Sequence, residues 1–151
     1  MNRVPTEVLE YLSDVPGERG EAVRAVFDTA IEAMPAGYEL VSFQNAPHWV
    51  IPLSTFPVTH NGEPLSYLAL MAQKHYNSAY LMGLYKDVDA VASFQSAWTA
   101  SGLPLDMGAA CLRVKRLADV NLPLLAETIA SMPVQRYLEI YQGRSSPKLN
   151  Q

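Results

Sequence analysis

The 151-residue sequence has little cysteine, little charge and no long apolar run, and each shortage argues against a class of protein. Its one cysteine, Cys111, cannot form an intrachain disulfide, which is typical of proteins in a reducing compartment. Charged residues make up 17% of the chain and its net charge is −4, which argues against a nucleic-acid partner. The longest apolar run, around Tyr67–Ala72, is too short to span a bilayer. We therefore predict a cytoplasmic protein that binds neither nucleic acid nor membrane.

The length of the chain and its 49% apolar content predict one domain with its own core. Phe27, Phe94 and Trp98 lie on the apolar faces of two predicted amphipathic helices, so we expect all three in that core. The last residues, GRSSPKLNQ, are polar and contain glycine and proline. This composition predicts a disordered tail over residues 143–151, which leaves residues 1–142 as the domain.

Stretches that favour strands cluster in the middle of the chain, and helical patterns lie mainly at its two ends. This order predicts an α+β fold, with a single antiparallel sheet flanked by N-terminal and C-terminal helices. The short Lys74-His75 join leaves no room for a crossover helix between the strands on either side of it. The predicted strands are Tyr38–Gln44, His48–Ile51, Leu65–Gln73, Tyr76–Leu81 and Cys111–Lys115. The predicted helices are Thr6–Leu12, Glu18–Met34, Asp87–Ser101, one capped by Asn121, and one from Pro133 to about Tyr141.

Four short motifs, in this order and spacing, resemble the YdhG-like domain family, a widespread bacterial family largely of unknown function. They are Val15-Pro-Gly-Glu-Arg19 before the long helix, Ser42-Phe-Gln-Asn-Ala-Pro47, Lys74-His75-Tyr76, and Gly108–Lys115 followed by Leu124–Tyr141.

The resemblance covers roughly Val8 to Gln142 and implies an α+β fold with a curved antiparallel sheet. One branch of the family is described as a frataxin-like intracellular iron chaperone, so the resemblance also implies iron delivery. The sequence departs from the family pattern in two places. Gln44-Asn45-Ala46 replaces the usual small-aromatic-glycine turn, and a long Pro/Asn-Gly insertion follows His48.

Four carboxylates form an acidic stripe on one side of the predicted long helix: Glu18, Glu21, Asp28 and Glu32. Exposed carboxylates on one helix face bind cations weakly, through oxygen ligands and water. Weak iron binding is therefore one interpretation of this stripe. The other is a solvated helix face, with Glu18 and Glu21 in the first turn, where the helix dipole favours anions.

The histidines suggest a different kind of site. If His48 and His75 met across neighbouring strands, they would shape a polar-aromatic pocket with Tyr38, Asn45, Trp49 and Lys74. In the alternative interpretation, both histidines are ordinary strand-edge residues. Their spacing matches no zinc motif.

Two further features permit both a functional and a structural interpretation. Cys111 lies in an apolar stretch, which predicts a small buried side chain, although a reactive thiolate beside Arg113 stays open. The run Leu81–Tyr85 is either core or an exposed patch that binds a partner.

No P-loop, dinucleotide fingerprint or Gly-x-Ser-x-Gly elbow is present, so no enzyme class is indicated. Three functions therefore remain open. The chain is a binding or accessory protein, in its sharpest form an iron binder. Alternatively, it is a small-molecule-binding domain or small enzyme that uses the histidine pocket, or a homodimeric interaction module.

Overall fold

The computed structural model describes residues 3–85 and 87–143. Within them, the helices are α1 (Thr6–Asp14), α2 (Gly17–Ala33), α3 (Met82–Tyr85), α4 (Val88–Ala100), α5 (Leu122–Ala130) and α6 (Val134–Gln142), with a 3-10 turn at Leu117–Asp119. The strands are β1 (Glu39–Phe43), β2 (Ala46–Ile51), β3 (Leu65–Ala72), β4 (Asn77–Leu81), β5 (Met107–Gly108) and β6 (Cys111–Val114). None of these helices combines the length and the apolar character needed to cross a membrane. The predicted tail, residues 143–151, lies outside the described residues except for Gly143.

All six strands belong to one sheet, in the order β1-β2-β3-β4-β6-β5. Every neighbouring pair is antiparallel, from the β1–β2 hairpin to the short β5–β6 pair. The predicted α+β fold with a single antiparallel sheet is therefore confirmed. A bulge between Trp49 and Val50 shifts the β2–β3 register, so that Trp49 pairs with Leu68 but Val50 pairs with Ser66.

The β1–β2 hairpin turns through two residues with positive φ, Gln44 (52°) and Asn45 (71°). Two positive φ angles define the turn whose twist matches that of antiparallel strands, and asparagine is well suited to it. Gln44 is not, because a side chain in this left-handed conformation costs about 1–2 kcal/mol.

One face of the sheet carries the core. Buried side chains from five strands point to this face, and α2 packs over it, with the ring of Phe27 5.7 Å from that of Trp49. Phe27, Phe94 and Trp98 are 6%, 3% and 1% exposed, so their predicted place in the core is confirmed. The buried residues on this face of the strands include Leu40, Trp49, Leu68, Leu70, Ala79, Leu112 and Val114.

The helix starts follow the capping chemistry only in part. Asp87 and Asn121 accept hydrogen bonds from the backbone N–H of Ala90 and Leu124, so the predicted Asn121 cap is confirmed. The predicted Thr6 cap is wrong, because Thr6 is already the first residue of α1. Proline precedes the helix there, and its fixed φ is preorganised for a helix start without a side-chain cap.

The alternate side chains of the strands form a second, less covered face, which we call the open face. Most of its residues are half-buried, in contrast to the fully buried row on the other side. Side chains alternate along a strand, so the pairing between neighbouring strands decides which residues share a face of the sheet. The open face contains Val41, His48, Ala69, Met71, Tyr80, Cys111 and Arg113.

Three buried tyrosines, the tyrosine cluster, join the sheet to the C-terminal helices. The rings of Tyr38 and Tyr67 stack with centroids 4.1 Å apart, and Tyr137 meets Tyr67 edge-on at 5.5 Å. Their hydroxyls donate to the backbone oxygens of Met132, Ile129 and Ser66, respectively. Burial raises the pKa of each hydroxyl above its usual value, so all three remain neutral donors at physiological pH.

Tyr67→Phe tests this arrangement. The Tyr67 hydroxyl lies 2.6 Å from the backbone oxygen of Ile129. This carbonyl belongs to the last turn of α5, where carbonyl groups receive no hydrogen bond from within the helix. Removing the hydroxyl leaves that carbonyl buried without a donor, so we expect a loss of about 1–3 kcal/mol in the free energy of unfolding. Urea titration followed by circular dichroism measures it. Tyr85→Phe, at an exposed tyrosine, is the control, and an equally small effect in both variants would contradict the assignment.

Candidate functional site

A large groove lies on the open face, over the β1–β2–β3 end of the sheet. Its volume is about 1110 Å³. The strands form the floor, and the β2–β3 connection, α3 and α6 form the walls. The long connection between β2 and β3 therefore provides one wall of the groove. Its lining residues include Val41, Phe43, His48, Glu63, Ser66 and Tyr85.

The groove is mainly apolar and aromatic, with a few polar groups. Phe43 and Tyr85 are 52% and 57% exposed, which is unusual for rings of this size in a folded chain. Both rings border the groove, so a molecule bound there would cover apolar surface that now faces water. Small-molecule sites combine such walls with a few polar groups that fix the ligand's orientation.

His48 and Ser66 form the polar centre of the groove floor. Cross-strand geometry brings them together: Ser66 pairs with Val50 and His48 with Ala69, so the two lie diagonally across β2 and β3. Nε2 of His48 lies 2.7 Å from Oγ of Ser66. The Phe43 ring meets the imidazole edge-on, with ring centroids 5.7 Å apart.

The second ring nitrogen of His48 is available to a ligand. Across residues 3–85 and 87–143, Nδ1 has no hydrogen-bond partner. Burial lowers the pKa of His48 below its usual value, so the imidazole is neutral at physiological pH. A neutral imidazole held at Nε2 presents one donor or one acceptor at Nδ1, depending on its tautomer.

Contacts among three side chains, Phe56, His60 and Tyr141, hold the rim of the groove. Nδ1 of His60 lies 2.8 Å from the Tyr141 hydroxyl, and the Phe56 ring packs edge-on against Tyr141 at 5.7 Å. These contacts hold the long β2–β3 connection against α6, although His60 and Tyr141 are 81 positions apart in the sequence. The wall of the groove is therefore fixed by tertiary contacts and not by secondary structure of its own.

The His48–Ser66 pair on its own does not make a nucleophilic site. A serine nucleophile needs a base whose second nitrogen is oriented by a third group, and it needs donors for the developing oxyanion. No described residue hydrogen-bonds to Nδ1 of His48. The geometry therefore favours binding at this pair over acyl transfer.

The structure separates the residues of the predicted histidine pocket. Only His48 lies in the groove. Tyr38 and Trp49 are 3% and 1% exposed and point to the core face, because alternation places Trp49 opposite its neighbour His48. Asn45 is exposed in the β1–β2 turn. These three do not form a pocket with His48.

His75 and Lys74 lie at the far end of β3, exposed in the β3–β4 turn. His48 pairs with Ala69, and His75 follows that residue by six positions, which corresponds to roughly 15–20 Å along a strand. The prediction that the two histidines face one cavity is wrong for this reason. Lys74 instead borders a shallow depression beside Tyr11, Asp14 and Arg19.

The acidic stripe is present as four exposed side chains on α2: Glu18, Glu21, Asp28 and Glu32. Glu32 follows Glu18 by fourteen positions, so the stripe extends over roughly 21 Å of helix. In the part of the chain that the structure describes, no three histidine, cysteine or carboxylate side chains lie together as a metal site would require. The iron interpretation therefore has no coordination geometry to support it.

The structure also tests the predictions made for Cys111 and for the run Leu81–Tyr85. Cys111 is half-buried on the open face, beside Tyr80 in the register, so the expectation of a buried side chain is wrong. In the run Leu81–Tyr85, Leu81 and Leu84 are core residues, whereas Tyr85 is exposed beside the groove. The interpretation as core is therefore confirmed for Leu81 and Leu84, and the partner-binding interpretation of the run stays a prediction.

Sequence reasoning missed most of the groove, including Phe43, Ser66, Glu63 and Tyr141. The Asn61-Gly62 signal did indicate a turn, but not that the connection folds back against α6. Alternation within Leu65–Ala72 does assign Ser66 and Ala69 to opposite faces in a regular strand. The bulge brings them to the same side, and a bulge has no dependable sequence signature.

No protein-family model, curated protein or solved structure matches the chain, so the resemblance to the YdhG-like family stays a prediction.

Proposed function

We propose that this chain is a small-molecule-binding protein of the cytoplasm, and that its ligand lies in the groove on the open face. The observation that carries the proposal is the joint presence of apolar, aromatic walls and a half-buried imidazole with a free nitrogen. Sites for small ligands commonly occupy about 300–1,000 Å³. The groove, at about 1110 Å³, has room for a ligand of that class.

The packing of the floor supports the same proposal. Val50 is 3% exposed, and the Tyr137 hydroxyl lies 2.6 Å from the Ser66 carbonyl, so the floor is fixed before any ligand arrives. A preformed floor reduces the ordering cost of binding. The polar pair sits on strands, which position side chains more rigidly than loops do. These features favour recognition of a defined molecule over nonspecific hydrophobic binding.

A neutral fluorescent probe, N-phenyl-1-naphthylamine, tests the proposal. We expect its emission to rise on binding, and Val41→Trp to weaken binding about tenfold or more by filling part of the groove. Met71→Trp is the matched control, since it adds the same ring to the open face at a residue outside the groove. Equal affinity in both variants, or no binding to the unaltered protein, would refute the proposal. Melting temperatures of the two variants verify that each folds.

A further inference from the structure

We infer that His48 carries its proton on Nδ1, and that the ligand of the groove presents a carbonyl-type oxygen acceptor to this N–H group. The inference rests on the proposed function and specifies which polar group the ligand carries. It follows from the hydrogen-bonding capacity of His48 and Ser66, whose Nε2 and Oγ atoms lie 2.7 Å apart on the groove floor.

The first step concerns the proton of the Ser66 hydroxyl. A serine hydroxyl has one proton to donate and two lone pairs that accept. Within residues 3–85 and 87–143, the contact with Nε2 of His48 is the one hydrogen bond that Oγ of Ser66 makes. The Ser66 backbone carbonyl accepts from the Tyr137 hydroxyl at 2.6 Å. The lone pair of Nε2 is therefore the acceptor that the described structure offers to the Ser66 proton.

The second step compares the two neutral tautomers of His48. If the proton is on Nδ1, Nε2 accepts from the Ser66 hydroxyl, and only the Nδ1–H group lacks a partner. If the proton is on Nε2, the ring donates to Oγ, and both the Ser66 proton and the lone pair of Nδ1 lack partners. Both side chains are half-buried, so an unpaired polar group costs free energy. The tautomer with one unpaired group is therefore favoured over the tautomer with two.

The third step leads from the tautomer to the ligand. His48 lines the groove, and Nδ1 has no partner in the described part of the chain. A ligand that displaces water from the groove floor leaves this N–H group unpaired unless it supplies an acceptor. A site built around a polar group disfavours analogues that lack the matching group. An apolar molecule with a ketone or amide oxygen therefore fits better than one with a methylene group in the same place.

Nitrogen-15 NMR of histidine-labelled protein reports the tautomer without any ligand. At neutral pH we expect the His48 signals of a ring protonated on Nδ1, and their loss in His48→Gln assigns them. Ser66→Ala removes the hydroxyl, so we expect the population to shift towards the ring protonated on Nε2. Ser78→Ala, on the open face outside the groove, is the matched control and should change nothing. A His48 ring protonated on Nε2 in the unaltered protein, or no shift in Ser66→Ala, overturns the inference.

Two uncharged compounds of nearly one shape test the ligand class: acetophenone, and α-methylstyrene, in which a methylene group replaces the ketone oxygen. Competition against the bound neutral probe gives the affinity of each. We expect the ratio of ketone to alkene affinity to fall about threefold or more in His48→Phe, which keeps a ring but loses the N–H donor. His75→Phe makes the same change at an exposed residue outside the groove and should leave the ratio unchanged.

The outcomes separate the inference from the proposed function. If the probe binds but the ratio is the same in His48→Phe as in the unaltered protein, the inference is wrong and the proposed function stands. An equal fall in His48→Phe and His75→Phe also contradicts the inference, because the effect would not depend on the groove. If the probe does not bind the unaltered protein, the proposed function fails, and the inference about its ligand fails with it.

Discussion

Trp98→Ala should lower the free energy of unfolding by about 3–5 kcal/mol, the largest loss expected from any single truncation considered for this chain. Trp98 is 1% exposed and lies near the C-terminal end of α4, with its ring 5.7 Å from that of Phe94. Its Nε1–H donates to the Pro104 carbonyl at 2.8 Å, which fixes the connection after the helix. Truncation therefore creates a cavity and leaves a carbonyl without its donor.

Urea unfolding followed by circular dichroism measures this loss without depending on tryptophan fluorescence. Trp98→Phe separates the two causes, since it keeps most of the ring volume but removes the Nε1–H donor. We expect it to cost about 1–3 kcal/mol. If Trp98→Ala were no more destabilising than Ser93→Ala on the exposed side of the same helix, Trp98 would not belong to the core.

Gly20→Ala should destabilise the protein by about 3 kcal/mol or more, although it places a better helix former inside α2. A Cβ at position 20 would come closer to the Val15 carbonyl oxygen than the 3.0 Å that real Cβ atoms respect. It would also come within 2.8 Å of the Arg24 guanidinium. That guanidinium donates to the Leu12 and Val15 carbonyls, at 2.8 and 3.1 Å, and so joins α1 to α2.

The sign of the effect distinguishes this clash from ordinary helix propensity. In an uncrowded helix interior, glycine to alanine stabilises by about 1 kcal/mol. Ser93→Ala, at an exposed residue of α4, is the control, and we expect no loss of stability there. Thermal unfolding of both variants is the measurement. A stabilised Gly20→Ala variant would show that α1 and α2 are not in close contact at this corner.

Local patterns predicted the regular elements well where a single periodicity dominated. The α2 boundaries differ by one residue at each end, because the flanking Val15-Pro16 and Pro35 segments limit the helix. The two elements that were missed, α3 and β5, have four and two residues, too few for any periodicity to be detected. The β1–β4 boundaries differ by no more than two residues from prediction, since turn residues separate those strands.

The groove was much less predictable, for a physical reason. Alternation within β2 says that His48 and Trp49 point to opposite faces, but not which residues of β3 lie opposite them. That depends on register, and the bulge between Trp49 and Val50 changes the register within this strand pair. The partnership of His48 with Ser66 follows from this irregularity, and the distance of His48 from His75 follows from its pairing with Ala69.

The strand order of the sheet also has a consequence for how the chain folds. From β1 to β4, spatial order follows chain order, and the connections have two, thirteen and four residues (44–45, 52–64 and 73–76). Loop closure costs little entropy over such short separations, and chains with local contacts fold faster than those with distant ones. The floor of the groove thus belongs to the most local part of the topology. We expect this meander to assemble early, before the more distant β6 completes the sheet.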